Sequence, residues 1–589
     1  MLRKTKIVCT IGPATDSEEM IGKLFDSGMN VSRHNFSHGN HDSHRVTMER
    51  VRKVAGEKHL NYAILLDTKG PEIRARDFKN GKVILQEGTE VTVVGGEDFL
   101  GDETRFAVTY KDLAKVMEPG KHILLNDGLV DLEVTAIVGN EVKTIVRNTG
   151  EISNRKSSNL PGVKTHLPAL TEQDKKDLAF GAEFGVDIIA ASFIRKGSDV
   201  LEIRKVLHEL NASHIHIYSK IENEEGVENV DEIIKYSDGI MVARGDMGVE
   251  IPIERVPMIQ KMIIEKCNAA GKPVITATQM LDSMVRNPRP TRAEVSDVAN
   301  AIMDGSDAVM LSGETASGEW PVEAVQTMTD IALATESQIN YNNLLTQLLK
   351  NQTNTVQSAI SAAVCTTANK LETKAIITGT TSGSTARNIA KFRPKSTIIA
   401  VTPVEAVARK LACTWGVYPI VSETFESTDE LIEKTTAAAK AQGFVQDGDL
   451  VVISAGIPVN FKGSTNMMKI HIIGDVLLEG KGLEPIKRQV SGIATIVHSP
   501  LEAENRVEAG SILVVHDLIP DYLPHLHEAE GVVVEAESIS PEVTIEVLKM
   551  EIPIVYGARE ATHRLKDGTM ITVDGKVGIV TSGKSSAHS

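Results

Sequence analysis

The chain has 589 residues, too many for one hydrophobic core at about 150 residues per domain. Its 41% hydrophobic and 24% charged content excludes wholesale disorder and fibrous classes, and 4% aromatics leaves the cores to Ile, Val, Leu and Ala. With 63 Lys and Arg against 79 Asp and Glu the net charge is −16, which excludes the broad basic face that nucleic acid requires; an anionic substrate must be held by a few local cations.

The chain opens on Met1-Leu2-Arg3-Lys4, and the apolar run that follows is broken by Gly12, Pro13 and Asp16, too short for a signal peptide. No apolar stretch reaches the ~18 residues of a membrane span, so a cytoplasmic protein without a membrane partner is expected. Cys9, Cys267, Cys365 and Cys413 stand far apart with no CxxC pair, which fits reduced thiols.

Eight short apolar runs follow, each leading into polar or Gly-rich residues and a helical pattern. They are Lys6–Thr10, Asn30–Ser32, Tyr62–Leu66, Asp187–Ser192, His216–Ser219, Gly239–Val242, Pro273–Thr276 and Ala308–Leu311. Such runs read as parallel strands buried on both faces. Eight of them alternating with helices predict an α/β chain whose first part, residues 1–70 and 168–340, is a (β/α)8 barrel. Between the third and fourth runs, residues 71–167 have another texture. There Lys82–Gln86, Glu90–Val94, His122–Leu125 and Val130–Val138 alternate or are β-branched, with Gly139-Asn140 as a hairpin turn. A small inserted β-barrel domain is expected, placed at the barrel mouth as a lid.

Residues 341–475 read as an open α/β domain. Its helices are expected at Thr355–Leu371, Thr385–Phe392 and Ser427–Ala441, and its strands at Ala375–Thr378, Thr397–Val401, Leu450–Ser454 and Met468–Ile473. Glu479-Gly480-Lys481-Gly482 reads as a linker to a last unit rich in Val and Ile, about Gln489–Val580, within residues 476–589.

Active sites gather at the carboxyl ends of barrel strands, and the residues there are chemically coherent. They are Arg33-His34-Asn35-Phe36-Ser37-His38, Asp67-Thr68-Lys69-Gly70-Pro71-Glu72-Ile73-Arg74, Lys220-Ile221-Glu222-Asn223, Ala243-Arg244-Gly245-Asp246, Thr278-Gln279 and Ser312-Gly313-Glu314-Thr315. Glu222 and Asp246 offer hard oxygen ligands from neighbouring strands, suited to Mg²⁺ or Mn²⁺. Arg33, Arg74 and Lys220 supply charge for phosphoryl groups. Taken singly each has a bland alternative: a solvated surface charge, Asp246 as a helix cap, His34 and His38 as ordinary loop histidines.

Together these stretches resemble pyruvate kinase. The likeness is carried by Ile215–Val227, Asn30–His38, Leu66–Arg74, Ala243–Gly248 and Ala277–Met280, and it runs in order over about Lys4–Asp475. It implies transfer of a phosphoryl group from phosphoenolpyruvate to ADP, giving pyruvate and ATP, the last step of glycolysis. It implies Arg33 on the phosphoryl group, Gly245, Asp246 and Thr278 at the substrate carboxylate, and Glu222 and Asp246 on the divalent ion. Asn35, Ser37, Asp67 and Thr68 resemble potassium ligands, and Arg74, Lys156, Asn35 and His38 match nucleotide contacts. Lys220 lies where the phosphoryl group passes, and a water held by Thr278 and Ser312 is the expected proton source. A homotetramer is also implied.

Three further stretches are read here. Thr378–Ala386, with Thr380, Thr381, Ser382, Ser384 and Thr385, resembles the family's effector loop for a phosphorylated metabolite, a sugar phosphate or AMP; the alternative is an ordinary strand–helix loop. The last unit resembles the swivelling phosphohistidine domain of phosphoenolpyruvate-utilising enzymes, but Ser540-Pro541-Glu542 stands where that family has Thr-Ser-His, so no phosphotransfer by it is expected. Gly578–Ser585 has P-loop spacing without the helix a P-loop needs. Three functions stay open at this point: pyruvate kinase, a dikinase-like enzyme, and a metabolite sensor that has lost catalysis.

Overall fold

The computed structural model describes residues 2–350, 354–457, 465–474, 476–483, 486 and 488–583. Lys584 and Ser585 of the P-loop-like stretch, and the polar tail after Gly583, lie outside the described residues. The chain divides into two compact units. One comprises Met1–Thr353, Arg387–Arg393 and Val404–Pro419; the other comprises Asn354–Ala386, Pro394–Pro403 and Ile420–Ser589.

In the first unit eight parallel strands close a barrel: Lys6–Thr10, Val31–Asn35, Ala63–Asp67, Ile188–Ala191, His216–Ile221, Gly239–Ala243, Val274–Ala277 and Ala308–Leu311. The last pairs with the first, Ala308 beside Lys6. Alternate side chains serve two cores. Val8, Val31, Ala63, Leu65, Ile188, Ala190, Tyr218, Met241, Ile275, Ala308 and Met310 pack with one another inside the barrel. Their strand neighbours, such as Ile7, Cys9, Ile64, Leu66, Ile217, Val242 and Val309, pack outward against the helices. Local signals fix where those helices begin: Asn40, Thr171 and Thr291 each close a capping box with the residue three further on.

Strands two, three and five run further than the sequence suggested. Arg33, Asn35, Asp67 and Lys220 therefore sit within strands, not in the loops after them. Polarity marked the end of each apolar run, but the ladder of a closed barrel continues to its rim whatever the side chain.

Two histidines lie within the strands, His34 buried and His216 half-buried, and both are held neutral. Burial holds His34 down to about 3, helped by His44 and Arg33, and holds His216 down to about 3 against the pull of Asp238. Unfolding frees both to bind protons near pH 6.5, so stability present above that pH is lost as pH falls toward 3. Each histidine adds about 1.4 kcal/mol per pH unit to that slope. Urea denaturation between pH 7 and 4 should show the decline, and His34→Gln should flatten it.

The inserted residues pair as a six-stranded sheet and a two-stranded ribbon. The sheet order is Ser158–Asn159, His122–Leu125, Val130–Val138, Glu141–Val146, Glu90–Gly95, Arg105–Val108, and the ribbon joins Gly150–Ser153 to Lys82–Leu85. In place of the closed small barrel expected there, an open sheet and a ribbon share one core around Val91, Phe106, Ile123, Leu132 and Ile152. Gly139 turns the long hairpin with φ +63°.

In the second unit, Thr397–Thr402, Ala375–Gly379 and Leu450–Gly456 run parallel, and Thr465–Ile472 lies antiparallel to the last. The terminal sheet holds a correction. Val476–Glu479 pairs with Ile579–Ser582, and Lys481–Gly482, one residue on, pairs with Ile554–Tyr556 at the opposite edge. The expected linker is therefore a strand that stitches both edges of the sheet. Its glycines are there for space: a Cβ on Gly480 would stand 2.5 Å from the carbonyl oxygen of Tyr556.

Candidate active site

The alternation that fills the barrel also equips its mouth. Two residues beyond an inward apolar side chain come Thr10 after Val8, Arg33 after Val31, Asp67 after Leu65, Ser192 after Ala190, Lys220 after Tyr218 and Ser312 after Met310. Six strands thus turn a polar group inward at the same end.

Five of these are linked directly. Arg33 Nε donates to Asp67 Oδ2 at 2.6 Å, and its Nη1 donates to Thr10 Oγ1 at 2.9 Å. Lys220 Nζ lies 3.2 Å from Asp67 Oδ1 and 2.9 Å from Glu222 Oε1, and donates to Ser192 Oγ at 2.8 Å. The Phe193 amide donates to Glu222 Oε2 at 2.5 Å. Burial works against the charge of Lys220, but Asp67, Glu222 and Asp246 outweigh it and raise its pKa. Asp67 is opposed in the same way: burial would raise it, yet Lys220 and Arg33 bring it down. Glu222 differs. Burial pushes it up to about 7, with Asp246 adding to the push. It is fully buried and its Oε1 makes no aligned hydrogen bond. A buried carboxylate oxygen without a hydrogen bond, next to a second carboxylate, is the donor set a divalent cation satisfies.

Asp246 follows in the first turn of the short helix Arg244–Glu250. Gly245 beside it is required by contact, since a Cβ there would stand 2.7 Å from Thr278 Cγ2. Thr278 has φ +75° and Gln279 φ +54°. A β-branched residue in the left-handed region is strained, by about 1–3 kcal/mol. Ser312 is tied to the same rim: Glu314 accepts from the Ser312 amide at 2.8 Å and from the Leu281 amide at 3.0 Å.

The remaining predicted residues are spread more widely. A cleft of about 250 Å³ includes Arg74, Lys156, Asn223, Glu224 and Asp246 in its lining. Asn35 and His38 are not among its lining residues. Asn35 is the ladder neighbour of Asp67 and accepts from the Ser37 amide at 3.1 Å; His38 is exposed, and its carbonyl contacts His44 Nε2 at 2.8 Å. Thr68 Oγ1 accepts from the Ser192 amide at 3.2 Å. Arg74 Nε donates to Glu72 at 2.6 Å, so the acid carries a matched charge.

Comparison with known proteins now bears on this geometry. The family model described as pyruvate kinase, barrel domain, matches residues 2–325, and that described as pyruvate kinase, alpha/beta domain, matches residues 358–471. A pyruvate kinase of Geobacillus stearothermophilus is 49% identical over 588 residues, covering 100% of both chains. The chain belongs to the pyruvate kinase family. A pyruvate kinase of Clostridium acetobutylicum is 56% identical over 472 residues, 80% of this chain and 100% of that relative. A crystal structure of a pyruvate kinase from Cryptosporidium parvum superposes with TM-score 0.77 at 41% identity, covering 80% of this chain and 96% of that one. Residues 507–578 match the family described as PEP-utilising enzyme, mobile domain.

Against this pyruvate kinase framework, sequence reasoning missed Ser192 and Thr10 as parts of the mouth, and it placed Arg244 and Glu314 at strand ends without a role. A lone serine or threonine carries no motif; its signal is the two-residue step beyond a buried strand side chain.

In the second unit Thr380, Ser382, Ser384 and Thr385 form their own turn. Thr380 Oγ1 accepts from the Gly383 amide at 3.0 Å, Ser382 and Ser384 hydroxyls are 3.0 Å apart, and Thr385 Oγ1 lies 2.9 Å from Thr465 Oγ1. Thr381 is half-buried. Ser540 caps the helix Pro541–Met550, with Glu542 in its first turn. No imidazole stands at that place.

Proposed function

We propose that the chain transfers the phosphoryl group of phosphoenolpyruvate to ADP, releasing pyruvate and ATP in the last step of glycolysis. The observation that supports this most strongly is the buried Arg33–Asp67–Lys220–Glu222 network at the barrel mouth. Two polyanions must be brought in line, and the work is to offset their repulsion with fixed cations. Arg33, held at Nε and Nη1, grips the phosphoryl group; Lys220 meets it in transit with a charge that its carboxylate neighbours keep protonated. Gly245, Asp246 and Thr278 receive the substrate carboxylate, and Arg74 and Lys156 in the cleft receive the nucleotide phosphates, with Asn35 and His38 nearer the strand ends. Glu222 and Asp246 would hold Mg²⁺ or Mn²⁺, which supplies Lewis acidity to the substrate's oxygens. A water on Thr278 and Ser312 delivers the proton to the product carbon. The test is ATP and pyruvate formation from ADP and phosphoenolpyruvate by the purified chain. Failure of both products to form would overturn the reading.

We read four functional parts: the barrel (residues 1–70 and 168–340), the lid (71–167), the effector domain (341–475) and the terminal unit (476–589). Homotetrameric assembly and a cytoplasmic location are supported by the family resemblance. A potassium ion on Asn35, Ser37, Asp67 and Thr68 is supported by their weakly charged oxygens. Glu72, close by in sequence, is paired with Arg74 and adds no unmatched charge to that site. Replacing potassium by tetramethylammonium at equal ionic strength should abolish most turnover; full activity would exclude the ion.

Allosteric control by a sugar phosphate or AMP at Thr380–Thr385 is supported by the hydroxyl-rich turn. The effector should lower the half-saturating phosphoenolpyruvate concentration in the parent. The triple variant Thr380→Ala, Ser382→Ala, Ser384→Ala should lose that response while basal turnover persists; an intact response would place the site elsewhere.

A further inference from the structure

We propose that Arg244 is a positioning residue, whose guanidinium braces the left-handed Thr278–Gln279 turn against the helix carrying Asp246 and so sets where Thr278 stands. The inference rests on the phosphoryl-transfer reading of this site. Arg244 Nη2 donates to the carbonyl oxygen of Thr278 at 2.8 Å, and Nε donates to that of Ala277 at 3.2 Å. Nη2 also approaches Met280 Sδ at 2.9 Å, so one planar group spans the whole turn. The fork is itself aimed from the other side. Nη1 donates to Asp297 Oδ1 at 2.7 Å, and Gln260 Oε1 lies 3.4 Å from the same nitrogen.

Three elements thus converge on one guanidinium: the helix Arg244–Glu250, the helix Val256–Ala270 through Gln260, and the helix Arg292–Asp304 through Asp297. What they hold is a conformation the local sequence does not favour. Thr278 is β-branched and Gln279 has no special tolerance for φ > 0, yet both adopt it. Something outside the turn must fix it, and the carbonyl bonds from Arg244 do so. Gly245, next in the chain, leaves room for Thr278 Cγ2, which a Cβ there would meet at 2.7 Å, so the helix start carrying Arg244 and Asp246 lies close against Thr278. Lysine cannot replace this group, because a point charge on a flexible stem cannot span two successive carbonyls and a carboxylate together.

The experiment is a double-variant cycle with steady-state kinetics. The parent, Arg244→Gln, Arg244→Lys, Gln279→Gly and each double variant are assayed over phosphoenolpyruvate and ADP, with near-ultraviolet circular dichroism as the check of folding. Arg244→Gln should lower kcat about 100-fold, the loss that a misplacement near 1 Å produces. The KM for ADP should stay within about twofold, since Arg74 and Lys156 do not touch the turn. Arg244→Lys should lose most of what the glutamine variant loses. Glycine adopts positive φ without strain, so in the Gln279→Gly background the loss should shrink to about 10-fold. An equal loss in both backgrounds, or none in either, would overturn the brace. If Arg244→Gln does not fold, the lysine variant decides through the same cycle. A parent that makes no ATP would instead defeat the functional reading on which the brace depends.

Discussion

Lys220→Met should lower kcat by about a hundredfold to a thousandfold, with a far smaller change in the KM for ADP. A preorganised cation or donor aimed at charge that develops in the transition state is worth about that factor when removed. On the proposed reading Lys220 is such a cation; it is buried in the barrel mouth with Ser192 as its hydrogen-bond partner and two carboxylates beside it. The loss has a structural share too. Without Nζ, Asp67 keeps Arg33 as its partner, but Glu222 is left buried without a counter-charge. Removing one partner of a buried pair costs about 3–5 kcal/mol. Thermal denaturation should therefore be followed alongside kinetics, and kcat taken well below the variant's midpoint. Retention of more than about a tenth of parental kcat would show that the phosphoryl group passes elsewhere.

Glu222→Gln should raise the half-saturating Mg²⁺ concentration by about a hundredfold or more. Loss of residues that only orient a metal ligand costs 10–100-fold in affinity, and a direct ligand, the role proposed for Glu222, should cost at least as much. The substitution is nearly isosteric and removes a carboxylate whose burial disfavours its charge, so the fold should tolerate it. Mn²⁺ binding followed by electron paramagnetic resonance reads the same effect without turnover. Unchanged binding would mean that Glu222 serves only as the partner of Lys220.

The barrel was legible in the sequence because parallel strands covered on both faces leave continuous apolar runs, as at Asp187–Ser192 and Ala308–Leu311. The charged residues of the mouth were legible because they follow those runs. Their organisation was not. Nothing in a single sequence tells that Asp67 is shared between Arg33 and Lys220, or that Ser192 lies under Nζ, because those contacts join strands distant in the chain. The contacts of Arg244 were hidden for another reason: those to the turn include backbone carbonyls, which every residue possesses. Glu479–Gly482 misled because glycine and lysine are common in flexible connectors. There the glycines answer to crowding, a demand that appears only once Tyr556 and Gly575 are placed beside them.

That same stretch has a consequence for how the terminal unit is cut and carried. A β-sheet ordinarily presents two rows of unpaired amides and carbonyls, each a template on which another chain can add a strand. Here the segment Val476–Gly482 occupies both rows at once, through Ile579–Ser582 on one side and Ile554–Tyr556 on the other. A fragment begun after Gly482 would keep every helix of the unit and still bare two adhesive margins. An excised form that begins before Val476 keeps both of those margins paired.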